Sequence, residues 1–184
     1  MVSAVIILNN GHTRHSPGGV FGGRTEYLEC LRLQRALYEE IKCLAPSAEI
    51  RLCEGAAAIR ESSPEDMLFV LHKGTSLKNA PRRGADIFVG ETASARIQYE
   101  AYRILCALCP PGGLRYRGVH TVTKKSPFGI FRALRTGRAY IISAGYIDNA
   151  GDNAAFDRSL SRIAHNTAKE IVKIYKERKN EDNG

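Results

Sequence analysis

Two histidines and one glutamate stand where predicted elements begin or end, and their side chains are of types that bind metal ions. His12 lies in the polar loop after the apolar run Val5–Leu8, and His72 directly follows the apolar run Met67–Leu71. The carboxyl ends of parallel strands meet at one edge of an α/β sheet, so neighbouring strands would bring the two imidazoles together. Glu26 opens a predicted helix after "GGVFGG", whose glycines allow the chain to turn back over the strand ends. Two histidines and a carboxylate, with a fourth position open to water, form the ligand set of a hydrolytic zinc site.

The same three residues also have an explanation that needs no metal. His12 and His72 fit histidines at strand ends that hydrogen bond to the backbone. Glu26 fits an acidic residue in the first turn of a helix, where it interacts favourably with the helix dipole, with Thr25 near the N-cap. No HExxH motif occurs, so the spacing does not decide between the two interpretations.

Strand-like and helix-like segments alternate along the chain. Apolar runs predict strands at Ala4–Leu8, Ala48–Cys53, Met67–His72, Ala85–Gly90 and Arg138–Gly145, and helical spacing predicts helices at Thr25–Leu44, Ser94–Leu108 and Asp152–Arg178. This alternation predicts one α/β domain over residues 4–178, with a mostly parallel or mixed sheet and helices on both faces. Residues 179–184 are predicted to be a disordered polar tail.

Composition narrows the class of protein. The 184 residues are 43% hydrophobic and 25% charged, as in an ordinary globular domain. The net charge of +8 favours a polyanionic partner: nucleic acid, an acidic membrane face or an anionic cell wall. Nucleic acid is the weaker choice because the chain has no zinc-finger spacing and no RNP-like motif. No apolar run approaches the ~20 residues that span a bilayer, and the absence of a signal peptide predicts cytoplasmic synthesis.

Several segments, taken in order, resemble those of one enzyme family. They extend from about residue 4 to 175 and read "NGH", "RTEYLECLRLQRAL", "DMLFVLH", "RGADIFVGE", "YRGVHTV" and "AYIISAGYIDNAGDNAAF". With the glycine loop after the first of them, they resemble the zinc-dependent N-acetylmuramoyl-L-alanine amidases of the third type.

The resemblance implies a mixed α/β fold, a zinc cofactor and a peptidoglycan or muropeptide substrate. Enzymes of this family cut the amide that joins the lactyl group of muramic acid to L-alanine. Their zinc is held by a histidine after the first strand, a glutamate that opens the first helix, and a histidine after a middle strand. His12, Glu26 and His72 match these positions in this order.

The family's catalytic glutamate is missing. The segment "GYIDN" aligns at Gly145–Asn149, and this places Ser143 at the glutamate position. A serine supplies no carboxylate base, and general base catalysis is worth roughly 10²–10⁴-fold. Glu91, which ends the run "ADIFVGE", is the best substitute if an adjacent strand brings it to the same edge. His120 and His15 are lesser candidates.

Two positions are candidates for substrate binding. The "RG" that contains Arg117 matches the family at a strand flanking the substrate groove. The loop "SLKNAPRRG" contains Lys78, whose ammonium group would pair with carboxylates of the stem peptide. A basic loop that is only solvated fits these residues equally well.

Three functions remain open from the sequence. The first is an active, zinc-dependent cell-wall amidase, with the phage endolysins as one form, which would be made in the cytoplasm and act on the wall after release. The second is a zinc-binding relative with weakened catalysis that recognises muropeptides or regulates another hydrolase. The third is a metallopeptidase or amidohydrolase with another substrate. The oligomeric state is not decided.

Overall fold

The computed structural model describes residues 4–56, 60, 62–76, 81–123 and 138–181. Its main feature is a six-stranded sheet with the strand order β4-β1-β5-β8-β6-β7. A two-stranded hairpin, β2–β3, stands apart from this sheet. The strands are β1 Ile6–Asn10, β2 Val20–Phe21, β3 Arg24–Thr25, β4 Ile50–Glu54, β5 Met67–Gly74, β6 Ala85–Gly90, β7 Tyr116–Val122 and β8 Arg138–Tyr146. The helices are α1 Glu26–Leu44, α2 Ala95–Leu108 and α3 Ala150–Glu181.

The sheet is mixed. Strands β4, β1, β5 and β8 are parallel to one another, β6 pairs antiparallel with β8, and β7 pairs parallel with β6. The carboxyl ends of β1 and β5 therefore meet at one edge of the sheet, whereas β6 begins at that edge and ends at the opposite one. The prediction of one α/β domain around a mixed sheet is confirmed.

The helices form where the sequence favours them. Cys30, Leu33, Leu37 and Ile41 lie on the buried stripe of α1, at the spacing that predicted this helix. Thr25 caps α1 by accepting a hydrogen bond from the backbone N–H of Leu28 at 3.3 Å.

The larger hydrophobic cluster fills one face of the sheet and includes residues of all three helices. The smaller cluster, on the other face, consists of strand residues such as Val5, Ile7, Leu68 and Val70. None of the three helices contributes to this second cluster, so the described helices all lie on the first face, whereas helices on both faces were predicted.

The last helix is longer than predicted. It continues to Glu181, three residues into the expected tail, because no proline or glycine lies between Arg178 and Glu181 and Lys179 lies over the ring of Tyr175 at 4.9 Å. Residues 182–184 lie outside the described residues. No helix in the described part of the chain has the length and apolarity to cross a bilayer.

Candidate metal centre

Strands β1 and β5 bring the two histidines together. Leu71 is the register partner of Asn10, and its carbonyl accepts a hydrogen bond from the backbone N–H of Gly11 at 2.9 Å. The rings of His12 and His72 consequently lie next to each other, with centroids 4.9 Å apart and planes at 83°.

The loop between β1 and α1 folds back so that Glu26 reaches the same edge. The backbone N–H of Glu26 donates to the carbonyl of Gly19 at 2.9 Å, and that of Tyr27 donates to the carbonyl of Pro17 at 2.9 Å. Gly18 has a φ of +73°, and a Cβ built on it would lie 2.6 Å from Cε1 of His12 and 2.7 Å from Oε2 of Glu26. A glycine is needed at this position both for the backbone conformation and for the close approach.

Three donors converge on one carboxylate oxygen. Oε1 of Glu26 lies 3.0 Å from Nε2 of His12 and 3.1 Å from Nδ1 of His72, and it accepts the backbone N–H of Lys73 at 2.9 Å. The other oxygen, Oε2, accepts the backbone N–H of Gly19 at 3.1 Å. The carboxylate is therefore fixed by the backbone on both oxygens while both rings approach it.

These contacts control the charge of Glu26. Burial by itself raises the pKa of this carboxyl, but the hydrogen bonds from His12, His72 and the Gly19 backbone outweigh burial and lower the pKa to about 2. The hydrogen bond to Glu26 raises the pKa of His12 above its ordinary value, against the opposing effect of burial. Glu26 is thus an anion at neutral pH, as a metal ligand must be.

The donor set fits a zinc ion. One ligand atom from each of His12, Glu26 and His72 lies within 4.8 Å of the other two. Donor atoms bound tetrahedrally at ~2.0–2.1 Å lie about 3.3 Å apart, close to the separations of the two ring nitrogens from Oε1 of Glu26. Nitrogen and carboxylate donors are the types that zinc accepts.

Ser143 occupies the position next to His72. Their Cα atoms are register partners between β5 and β8, and Ser143 is in turn the register partner of Asp86 on β6. Side chains at the same register position share a face of a sheet, so His72, Ser143 and Asp86 form one row. Ser143 and Asp86 are buried.

The structure does not bring Glu91 to this row. Because β6 runs antiparallel to β8, Asp86 at the start of β6 lies beside Ser143, whereas Glu91 follows the opposite end of the strand. We expected an adjacent strand to bring Glu91 to the metal edge, which requires that strand to run parallel to its neighbour. Because β6 is antiparallel to β8, this expectation is wrong.

Asp86 is the carboxylate nearest to Ser143 in the register, and it is held by three side chains. Arg117 donates from Nε at 2.8 Å, His120 Nε2 lies at 2.7 Å, and the hydroxyl of Tyr146 donates at 3.3 Å. Arg117, the predicted substrate contact, is thus bound to Asp86 and also lies over the ring of Tyr146 at 5.5 Å. His15 is exposed, and Lys78 lies outside the described residues.

Asp86 and Asn10 were not among the site residues predicted from the sequence. A single acidic residue inside the apolar run "ADIFVG" was the available signal for Asp86. Asn10 accepts the backbone N–H of His12 at 3.2 Å and donates to the carbonyl of Tyr27 at 3.0 Å. It therefore connects the histidine loop to the first turn of α1, which no pattern in the sequence indicates.

No family model and no curated protein matches the sequence. The fold, in contrast, superposes closely on several solved structures.

The catalytic domain of CwlV, an N-acetylmuramoyl-L-alanine amidase from Bacillus (Paenibacillus) polymyxa var. colistinus, has a TM-score of 0.73 at 21% identity, covering 93% of this chain and 97% of that one. The catalytic domain of the CD27L endolysin, which targets Clostridia difficile, has a TM-score of 0.73 at 17% identity, covering 92% of this chain and 97% of that one. The N-acetylmuramoyl-L-alanine amidase of Clostridium difficile 630 has a TM-score of 0.71 at 13% identity, covering 93% of this chain and 96% of that one. The chain therefore has the fold of the N-acetylmuramoyl-L-alanine amidases, as the resemblance implied.

Proposed function

We propose that the chain is a zinc-dependent hydrolase that cuts the amide between N-acetylmuramic acid and L-alanine in peptidoglycan. The observation that carries this proposal is the convergence of His12, Glu26 and His72, which lie far apart in the sequence, within 4.8 Å at one edge of the sheet. The shared fold with cell-wall amidases and an endolysin supports the choice of substrate.

His12, Glu26 and His72 would hold the ion. Zinc bound there would supply a Lewis acid for the amide carbonyl and for water. The chain's own contribution is orientation, because the N–H groups of Gly19 and Lys73 fix the carboxylate of Glu26 and Asn10 fixes the loop of His12. Such supporting hydrogen bonds are commonly worth roughly 10–100-fold in metal affinity.

Ser143 stands at the position where the resemblance expects a glutamate, and the neighbouring Asp86 is engaged by Arg117 and His120. This observation favours a second candidate function, in which the protein binds zinc and a muropeptide but turns it over slowly or not at all.

One experiment separates the candidates. Purified protein is incubated with peptidoglycan, with and without a chelator, and newly freed amino groups of L-alanine are measured together with bound zinc. Release that the chelator abolishes supports the amidase. One equivalent of zinc without release supports the binding protein, and cleavage of free peptides but not of peptidoglycan supports the metallopeptidase or amidohydrolase. Absence of zinc binding contradicts all three.

A further inference from the structure

The exposed face of α3 carries a row of cations. Arg158, Arg162, Lys169, Lys173 and Lys176 are all exposed and follow one another at spacings of 4, 7, 4 and 3 residues. These spacings place them on one face of the helix. With a rise of 1.5 Å per residue, this basic ridge is about 27 Å long.

The acidic residues near the basic ridge are paired with cations outside it. Glu170 and Glu177 accept hydrogen bonds from Arg103 of α2 at 2.8 and 3.2 Å. Asp157 binds Arg24 and Arg32.

His165, inside the row, pairs with Glu40 of α1 at 2.8 Å. Within the described part of the chain, no ion pair is formed by the five ridge cations themselves. The ridge therefore presents a line of positive charge, in which Arg162 also donates a hydrogen bond to the carbonyl of Pro111 at 3.1 Å.

The ridge begins near the metal edge. Asp157, next to Arg158, is bound to Arg24, which precedes the ligand Glu26 by two residues. From there α3 runs back along the helix face of the sheet. A polymer lying on the ridge would thus have one end close to the candidate metal centre.

We infer that the basic ridge binds an anionic, phosphodiester-linked polymer of the cell wall and holds the metal edge at the wall surface. This inference rests on the proposed function for the choice of wall polymer. Lysine and arginine side chains spaced along a line suit successive phosphate groups.

Two other polyanionic surfaces fit less well. No large hydrophobic residue is exposed on the described part of α3, so the ridge lacks the apolar side chains that insert into a membrane. One exposed aromatic ring, that of Tyr102 on α2, lines a cavity together with Lys169. No aromatic side chain belongs to the ridge itself, so bases of a single-stranded nucleic acid would find no row of rings along it to stack on.

The test measures sedimentation of the protein with purified Gram-positive cell walls, in chelator so that the wall is not altered during the measurement. The double variant Lys169→Gln/Lys173→Gln is expected to lose roughly tenfold in wall affinity at low salt, and less at high salt because the charges are screened. The control Arg35→Gln/Arg115→Gln removes the same charge from exposed positions elsewhere and is expected to bind as the unchanged protein does. Walls stripped of phosphodiester polymers are expected to bind the unchanged protein weakly.

Equal losses in the two double variants would overturn the inference, because net charge alone would then explain binding. Unchanged binding to stripped walls would overturn it too. The inference would also be overturned if duplex DNA or phosphatidylglycerol vesicles competed for the protein more strongly, per phosphate, than the purified wall polymer does. Amide release is measured separately with zinc present. Binding to the wall without release contradicts only the proposed amidase function. Release without ridge-dependent binding contradicts only the proposed role of the ridge.

Discussion

Ser143 lies directly opposite His72 in the register between β5 and β8. A hydroxyl group therefore stands next to a candidate zinc ligand, at the place where the resemblance expects a carboxylate. The position is buried, so a side chain added there would remain close to His72.

Replacing Ser143 with glutamate is expected to raise amide release by about 10²–10⁴-fold, because a carboxylate beside the metal supplies the missing general base. The measurement is release of L-alanine amino groups at saturating zinc. Ser143→Gln, similar in size but without the charge, is the matched control and should show no gain. A folded, zinc-loaded Ser143→Glu protein with unchanged release would show that this position does not limit turnover.

Replacing Glu26 with glutamine is expected to weaken zinc binding by more than about 100-fold, since an amide is a poor ligand and the set of His12, Glu26 and His72 loses its negative charge. Affinity is measured by competition with a chromophoric chelator. Glu29→Gln is the control: Glu29 is also buried, lies one turn further along α1, and pairs with Arg24 and Arg32. If both variants bound zinc equally well, Glu26 would not be a ligand.

Gly11→Ala tests the site by steric exclusion. A Cβ on Gly11 would lie 2.2 Å from Nε2 of His72, so the ring must move. Zinc affinity is expected to fall about 10–100-fold, as for other changes that disorient a ligand. Gly118→Ala is the control. The nearest atom to a Cβ on Gly118 is Cε1 of His120 at 3.4 Å, an ordinary contact, so zinc affinity should not change. Isothermal titration of both variants decides the matter.

Zinc affinity is expected to depend on pH through His12. The hydrogen bond to Glu26 raises the pKa of His12, so this ring keeps its proton to a higher pH than an ordinary histidine. Zinc must displace that proton, and affinity should fall by up to about tenfold per pH unit as the pH drops below the raised pKa. Glu26, with its pKa lowered to about 2, remains ionised through this range and adds no slope.

The metal-free protein should show the opposite trend in stability. The charged His12–Glu26 pair stabilises the fold below the ordinary histidine pKa, and this contribution is lost as the pH rises through the raised pKa. Chelator competition and thermal unfolding across the neutral pH range measure the two trends. A flat affinity profile would contradict the assignment of His12 as a ligand.

Asp86→Asn is expected to lower the free energy of unfolding by about 1–3 kcal/mol, because a buried carboxylate that anchors Arg117 and His120 loses its charge. Zinc content should be unchanged. Glu91→Gln is the control, since Glu91 is exposed at the opposite end of β6, and it should alter neither stability nor release. Urea unfolding measures the stability of each variant, and metal analysis measures its zinc content. A loss of amide release in Glu91→Gln would contradict the antiparallel pairing of β6 with β8.

Hydrophobic patterning was sufficient to predict the main elements of the fold. The runs that became β1, β5, β6 and β8 are apolar because the strands are buried, and α1 follows the helical period of its buried stripe. Patterns of this kind are local, so they can be recognised in the sequence before any contact between elements is known.

Strand direction, in contrast, depends on contacts between residues far apart in the chain. The run "ADIFVGE" looks the same whether β6 is parallel or antiparallel to its neighbour, yet the direction places Asp86 rather than Glu91 beside Ser143. The three metal-binding candidates and their order were visible in the sequence. Their convergence was decided only by the tertiary structure, because the pairing of β1 with β5 and the folded-back glycine loop set the distances among His12, Glu26 and His72.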